Sequence, residues 1–168
     1  MPAENIQISI KGLKELRYTC LDPVEHFPEL GDKKQEVEAD LKVRYQWNIE
    51  GEMFGIYTVF SVYIFHEKKR EKVIEYLCAT HFGVANLTAH LKEVNEGEFT
   101  ISKRLEEALL KMAIAHGRGM LTVKIATTRY RDFVFPLIDI GDIISNEIPG
   151  PVKIVRIEDE ESTGATDS

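Results

Sequence analysis

From Glu36 to Ile49 apolar and polar residues alternate without a break. Val37, Ala39, Leu41, Val43, Tyr45, Trp47 and Ile49 fall on one side, and Glu36, Glu38, Asp40, Lys42, Arg44, Gln46 and Asn48 on the other. A period of two residues predicts a long strand with one wet face. After a turn at Glu50-Gly51-Glu52, residues 54–65 read as a second strand of a different kind. Phe54, Ile56, Phe60, Val62 and Ile64 line one side, and Tyr57, Val59, Tyr63 and Phe65 the other. Both faces are apolar, so both are expected to be covered. The charged run 66–72 predicts a hairpin loop, and Val73 to Val84 a strand that pairs back. Upstream, Ile6, Ile8 and Ile10 alternate with Gln7, Ser9 and Lys11, which predicts another strand running towards Cys20 with a bend near Gly12. The simplest arrangement of these four pieces is an antiparallel meander.

The period then changes. Ser102 is a candidate N-cap, and Leu105, Leu109, Met112, Ala113 and His116 form a helical stripe. Gly117 and Gly119 are expected to end that helix, with Arg118 capping its last carbonyls. Residues 120–137 read as an extended crossover, with Phe133 and Phe135 just before Pro136. A short second helix through Ile140, Ile143 and Ile144 is expected to stop at Pro149-Gly150-Pro151. The expected class is therefore α+β: a four-stranded antiparallel sheet, a long helix, an extended crossover and a short helix. Residues 1–157 form one domain in this reading. The last eleven residues, 158–168, hold five acids, no base and no large apolar side chain, so they are expected to be a disordered acidic tail.

Composition narrows the function. The 168 residues are 43% hydrophobic and 29% charged, as in ordinary globular domains. The net charge of −7 argues against a general grip on nucleic-acid phosphates. No run is long enough to span a bilayer, and the N-terminus does not read as a signal peptide, so a soluble cytoplasmic protein is expected. Cys20 and Cys78 fit no metal or redox spacing. The five histidines form no ligand pattern, and Cys78 and His81, three apart on a strand, point to opposite faces. His116-Gly117-Arg118-Gly119 lacks the ending of a P-loop. No enzyme, cofactor or metal is expected. What remains is an abundance of large apolar residues, more than one sheet face and one helix can hide, which points to self-association and peptide binding.

Taken in order, these segments resemble the SecB family of protein-export chaperones. Residues 36–41 are similar to the family's second strand, and residues 74–84, with Leu77-Cys78 and Gly83, to its fourth. Ala113–Gly119 is similar to the end of the first helix, and Phe133–Asp139 to the segment that opens the second. The likeness spans roughly residues 4–147. It implies an ATP-independent holdase, assembled as a homotetramer (a dimer of dimers), that binds unfolded or export-bound polypeptides in apolar grooves. The client-contact candidates are Tyr45, Trp47, Phe133, Phe135, Ile140 and Ile144; Leu77 is the candidate for docking the SecA motor. Two departures bear on that last role. An acidic residue that follows Leu-Cys in the family is Ala79 here, and the tail lacks the Cys and His of a zinc-binding segment. They motivate an alternative: a dedicated chaperone or adaptor for one partner, such as an antitoxin, unconnected to export.

Overall fold

The computed structural model describes residues 6–21, 37–48, 51–66, 69–95, 98–140 and 152–153. Four strands dominate it: β1 (Ile8–Cys20), β2 (Val37–Asn48), β3 (Met53–His66) and β4 (Lys69–Val84). All neighbours are antiparallel, and the spatial order is β1-β4-β3-β2. This corrects the expected meander. β2, β3 and β4 follow one another, but β1 lies beside β4, as in a Greek key. The reason is burial. A meander would leave β4 at an edge, yet Val73, Ile74, Tyr76, Cys78, Phe82 and Val84 are all buried. The two strands with polar positions, β1 and β2, take the edges instead.

The charged run 66–72 is less of a loop than expected. His66 pairs with Lys69 and Ile64 with Glu71, so the ladder continues almost to the tip of the hairpin. At the β2–β3 turn, Gly51 N–H donates to Asn48 Oδ1 at 2.9 Å, and Glu52 takes a left-handed φ of 49°. The bend expected near Gly12 is a register shift between Ile10 and Gly12, and a second shift lies between Glu15 and Arg17. Such bulges bend an edge strand and increase its local twist.

Beyond β4, a 3-10 turn (Leu87–His90) leads into a small sheet of β5 (Leu91–Asn95), β6 (Glu98–Ile101) and β7 (Val152–Lys153). Helix α1 then runs from Lys103 to Ile125 with Ser102 at its N-cap position. It passes through Gly117 and Gly119, which corrects their reading as terminators. Leu110, Ile114, Gly117, Leu121 and Ile125 extend the buried stripe at spacings of three and four. Thr128 closes the helix instead: its Oγ1 donates to the Ile125 carbonyl at 2.8 Å and accepts from Tyr130 N–H at 3.1 Å. Residues 133–139, expected as part of the extended crossover, belong to no helix or strand, and the segment starts later than residue 120 because α1 runs to Ile125. Of the expected second helix only Ile140 is described; Ile143, Ile144, the 149–151 break and the 158–168 segment lie outside the described residues.

One face of the sheet carries the core. Phe54, Ile56, Phe60, Val62 and Ile64 of β3 and Ile74, Tyr76, Cys78 and Phe82 of β4 lie under α1 and the crossover. Each fully buried large side chain there contributes roughly 1.5–3 kcal/mol of transfer free energy. No described element covers the other face.

Candidate polypeptide-binding site

The crossover is held by a few specific contacts. Phe135 is buried, at 4% exposure, with its ring edge-on to Phe60 at 4.9 Å. Arg118 Nη2 donates to the Phe135 carbonyl at 2.9 Å. Arg118 does cap a carbonyl, but on the crossover rather than at the end of its own helix. Phe133 is half-buried and edge-on to Phe135 at 6.4 Å. Between and beyond these anchors, Val134 is 73% and Leu137 85% exposed. The segment therefore alternates between side chains that fix it and side chains that face solvent.

The aromatic pair on β2 sits on the same side of the sheet. The Trp47 ring meets Phe54 edge-on at 4.3 Å, and Tyr45 lies 5.7 Å from that ring. Tyr45 Oη donates to Glu106 Oε1 at 3.0 Å, tying β2 to the first turn of α1. Ile140 packs against the same core cluster as Tyr45 and Trp47. Tyr45, Trp47 and Ile140 are half-buried at the margin of that core. Phe133 and Phe135 belong to the neighbouring cluster around Phe60, and Phe135 itself presents no free surface. Ile144 lies outside the described residues.

Sequence patterning did not single out several of the exposed apolar residues. Besides Val134, α1 presents Val123 at 74%, and β1 presents Ile10 at 49% and Leu13 at 46%, with Leu16 beside them. Ile10 and Leu13 pair with Phe82 and Thr80, so they point to the helix side of the sheet but beyond its reach. Alternation placed Ile10 on that face, and the register shift between Ile10 and Gly12 brings Leu13 to the same side; that the helix stops short of the edge is a tertiary fact. β1 has no strand partner on its outer side among the described residues, so backbone groups and apolar side chains are presented together.

Leu77 lies on the opposite face of the sheet. The ladder sets it in a row that reads Arg17, Leu77, Val59, Lys42 across β1, β4, β3 and β2. The next row reads Lys14, Ala79, Tyr57, Arg44. Tyr57 donates to Gln46 and stands edge-on to His81 at 6.1 Å. Lys11 lies across Gly83 at the end of this face. Arg70 pairs with Glu38, and Lys72 and Arg17 both pair with Glu75. Lys72 first, then Arg17, hold the Glu75 carboxyl below the usual carboxylate range.

Three titratable groups of the core face are shifted by burial. Burial pushes the Cys78 thiol up, against a contact of 3.1 Å with Thr58 Oγ1. Burial likewise raises the Tyr76 phenol, and takes Tyr18 up to about 12. Cys78 points into the core and His81 to the other face, so the two form no pair.

No helix among the described residues is long and apolar enough to cross a membrane. No family model matches the chain, and no curated protein matches it in sequence. Seven solved chains do match. One is the Mycobacterium tuberculosis Rv1957 SecB-like chaperone in complex with a ChAD peptide from the Rv1956 HigA1 antitoxin, at 9% identity and a TM-score of 0.46, covering 79% of this chain and 91% of that one.

Proposed function

We propose that the chain is a nucleotide-independent chaperone that holds non-native polypeptide segments against fixed, exposed apolar side chains. The observation that carries this reading is the crossover, where buried Phe135 anchors a segment whose Val134 and Leu137 stand in solvent. Pre-fixed apolar side chains bind an unfolded chain without first being ordered themselves, which removes part of the entropic cost of association. The unpaired outer edge of β1, with Ile10, Leu13 and Leu16, offers an extended client a second place to lie. Tyr45, Trp47, Phe133, Ile140 and Ile144 complete the client-contact set in this reading, with Phe135 as its support.

Self-association belongs to the same proposal. A homotetramer, built as a dimer of dimers, would shelter part of the apolar edge and leave the crossovers for clients. Size-exclusion chromatography with light scattering tests this: a mass near four chains supports it, and a clean monomer removes it.

The holdase reading is tested by light scattering from a chemically unfolded client. Aggregation is expected to fall as the protein approaches one assembly per client, with nucleotide making no difference. Unchanged scattering at excess protein would count against it.

A second reading, a chaperone dedicated to one partner, is favoured by the surroundings of Leu77. Its row contains Arg17 and Lys42 and no acid, and its same-face neighbours along β4 are Ala79 and Glu75, the latter already engaged by Arg17 and Lys72. Docking to SecA through Leu77 would thus meet cations where the family resemblance implies an acid. Affinity capture from the native cell separates the readings: one stoichiometric partner supports the second, and a mixture of precursors the first.

A further inference from the structure

The sheet face turned away from α1 has a charge opposite to that of the whole chain. The protein carries 28 acidic and 21 basic side chains. On this face Glu38 and Glu75 are already engaged by Arg70, Lys72 and Arg17. Lys11 and Lys14 on β1, and Lys42 and Arg44 on β2, are exposed and make no ion pair among the described residues. Asp40 is the one further carboxylate that the β2 alternation places here. The result is a trough: Tyr57, Val59, Leu77 and Ala79 form its floor, and free cations line both long sides. Three strand spacings of about 4.8 Å separate the two cationic borders, or about 14 Å.

We infer that the acidic C-terminal segment of the same chain, beginning at Glu158, docks in this trough. Charge is the first argument. Glu158-Asp159-Glu160-Glu161 is a run of four acids, and residues 158–168 contain no base. Reach is the second. Lys153 pairs with Glu98 of β6, and Leu91 and Ile101 of the same small sheet pack in one cluster with Ile8 and Val84. That is the end of the large sheet where Lys11 crosses Gly83. Four residues separate Lys153 from Glu158. At about 3.4 Å per extended residue, Glu161 reaches about 27 Å from Lys153, which brings Lys11 and Lys14 into range. Exposed ion pairs are individually weak, so the tether matters: it holds the acids at a local concentration on the order of millimolar. Nucleic acid fits the trough less well, because Glu38, Asp40 and Glu75 interrupt its cations and the chain as a whole repels phosphates.

Zero-length carbodiimide cross-linking of the full chain, followed by peptide mass spectrometry, tests the assignment. Amide links are expected between carboxylates of Glu158–Glu161 and the amines of Lys11, Lys14 or Lys42. They are expected to disappear in molar salt, where the screening length falls to about 3 Å. Links from the tail chiefly to Lys103 or Lys111 on α1, or no tail links at all, would overturn it. In a mixture of isotopically heavy and light chains, links that join heavy to light would overturn the same-chain assignment and point to a second copy. As an independent measurement, the double variant Lys11→Glu/Lys14→Glu is expected to shift the amide resonances of residues 158–161 to random-coil positions while the sheet resonances stay dispersed. Tail resonances that do not move would also overturn the proposal.

Discussion

Gly117 lies flat against the Phe60 ring: a Cβ at this position would stand 2.6 Å from Phe60 Cζ and 3.1 Å from Cys78 Sγ. The absence of a side chain is what lets α1 approach the centre of the sheet. Two residues on, Gly119 has nothing within 4 Å of the same hypothetical atom. The two glycines therefore predict opposite signs. Gly117→Ala should destabilise by about 1–3 kcal/mol through overpacking, despite the better helix propensity of alanine. Gly119→Ala should stabilise by about 0.5–1 kcal/mol. Urea denaturation of both variants checks this, and equal signs would contradict the packing.

The crossover should separate stability from binding. Phe135→Ala removes the ring seated on Phe60 and is expected to cost about 3 kcal/mol. Val134→Ser with Leu137→Ser changes only exposed positions and should move stability by less than about 0.5 kcal/mol per site. If these side chains hold clients, the second variant loses suppression of aggregation while its denaturation midpoint stays in place. Retained suppression would shift the site to β1.

Arg118→Met deletes the donor to the Phe135 carbonyl but keeps the aliphatic stem. A charge-assisted bond of this kind is worth about 1.5–3 kcal/mol. Part of that loss is expected to appear as faster amide exchange at residues 133–138, with α1 itself protected as before.

The thiols offer a pH test. Cys20 is half-exposed and Cys78 buried, so a thiol reagent should label Cys20 first and reach Cys78 only on unfolding. Burial raises the folded Cys78 thiol above its unfolded value. Its contribution to stability is fully present below the unfolded thiol range, about 8.5, and is lost as pH rises from there through the folded value. Denaturation midpoints should therefore fall in mildly alkaline buffer, and Cys78→Ala should flatten that part of the decline.

Much of the fold was legible because its signals are local. The alternation in β2 depends only on neighbouring residues, and the structure shows it. Of the two apolar sides of β3, both expected to be covered, Phe54, Ile56, Phe60, Val62 and Ile64 are buried, while Tyr57, Val59, Tyr63 and Phe65 are only half-buried, with no described element over them. Strand order depends on which strands must be buried twice over, and β4 revealed that only when its even-numbered side was weighed against an edge position. The helix end was misread because glycine has two meanings. Gly117 is small for the sake of Phe60, which lies 57 positions earlier, and no local window contains that fact. Leu121 and Ile125 did continue the stripe and were the available signal. At the candidate site, sequence found the anchors Phe133 and Phe135, whereas Val134 stands out only once the anchors are known to face inwards.

The position of β1 has a consequence for synthesis. It is the first of the described strands to leave the ribosome, yet its hydrogen-bonding neighbour ends at Val84. At roughly 5–20 residues per second, the 64 residues from Cys20 to Val84 take on the order of 3–13 s to emerge. Throughout that interval Ile8, Ile10 and Leu13 have no mate. A molecule proposed to shelter unfinished chains thus begins its own life as one, and its earliest strand is among the last to find shelter.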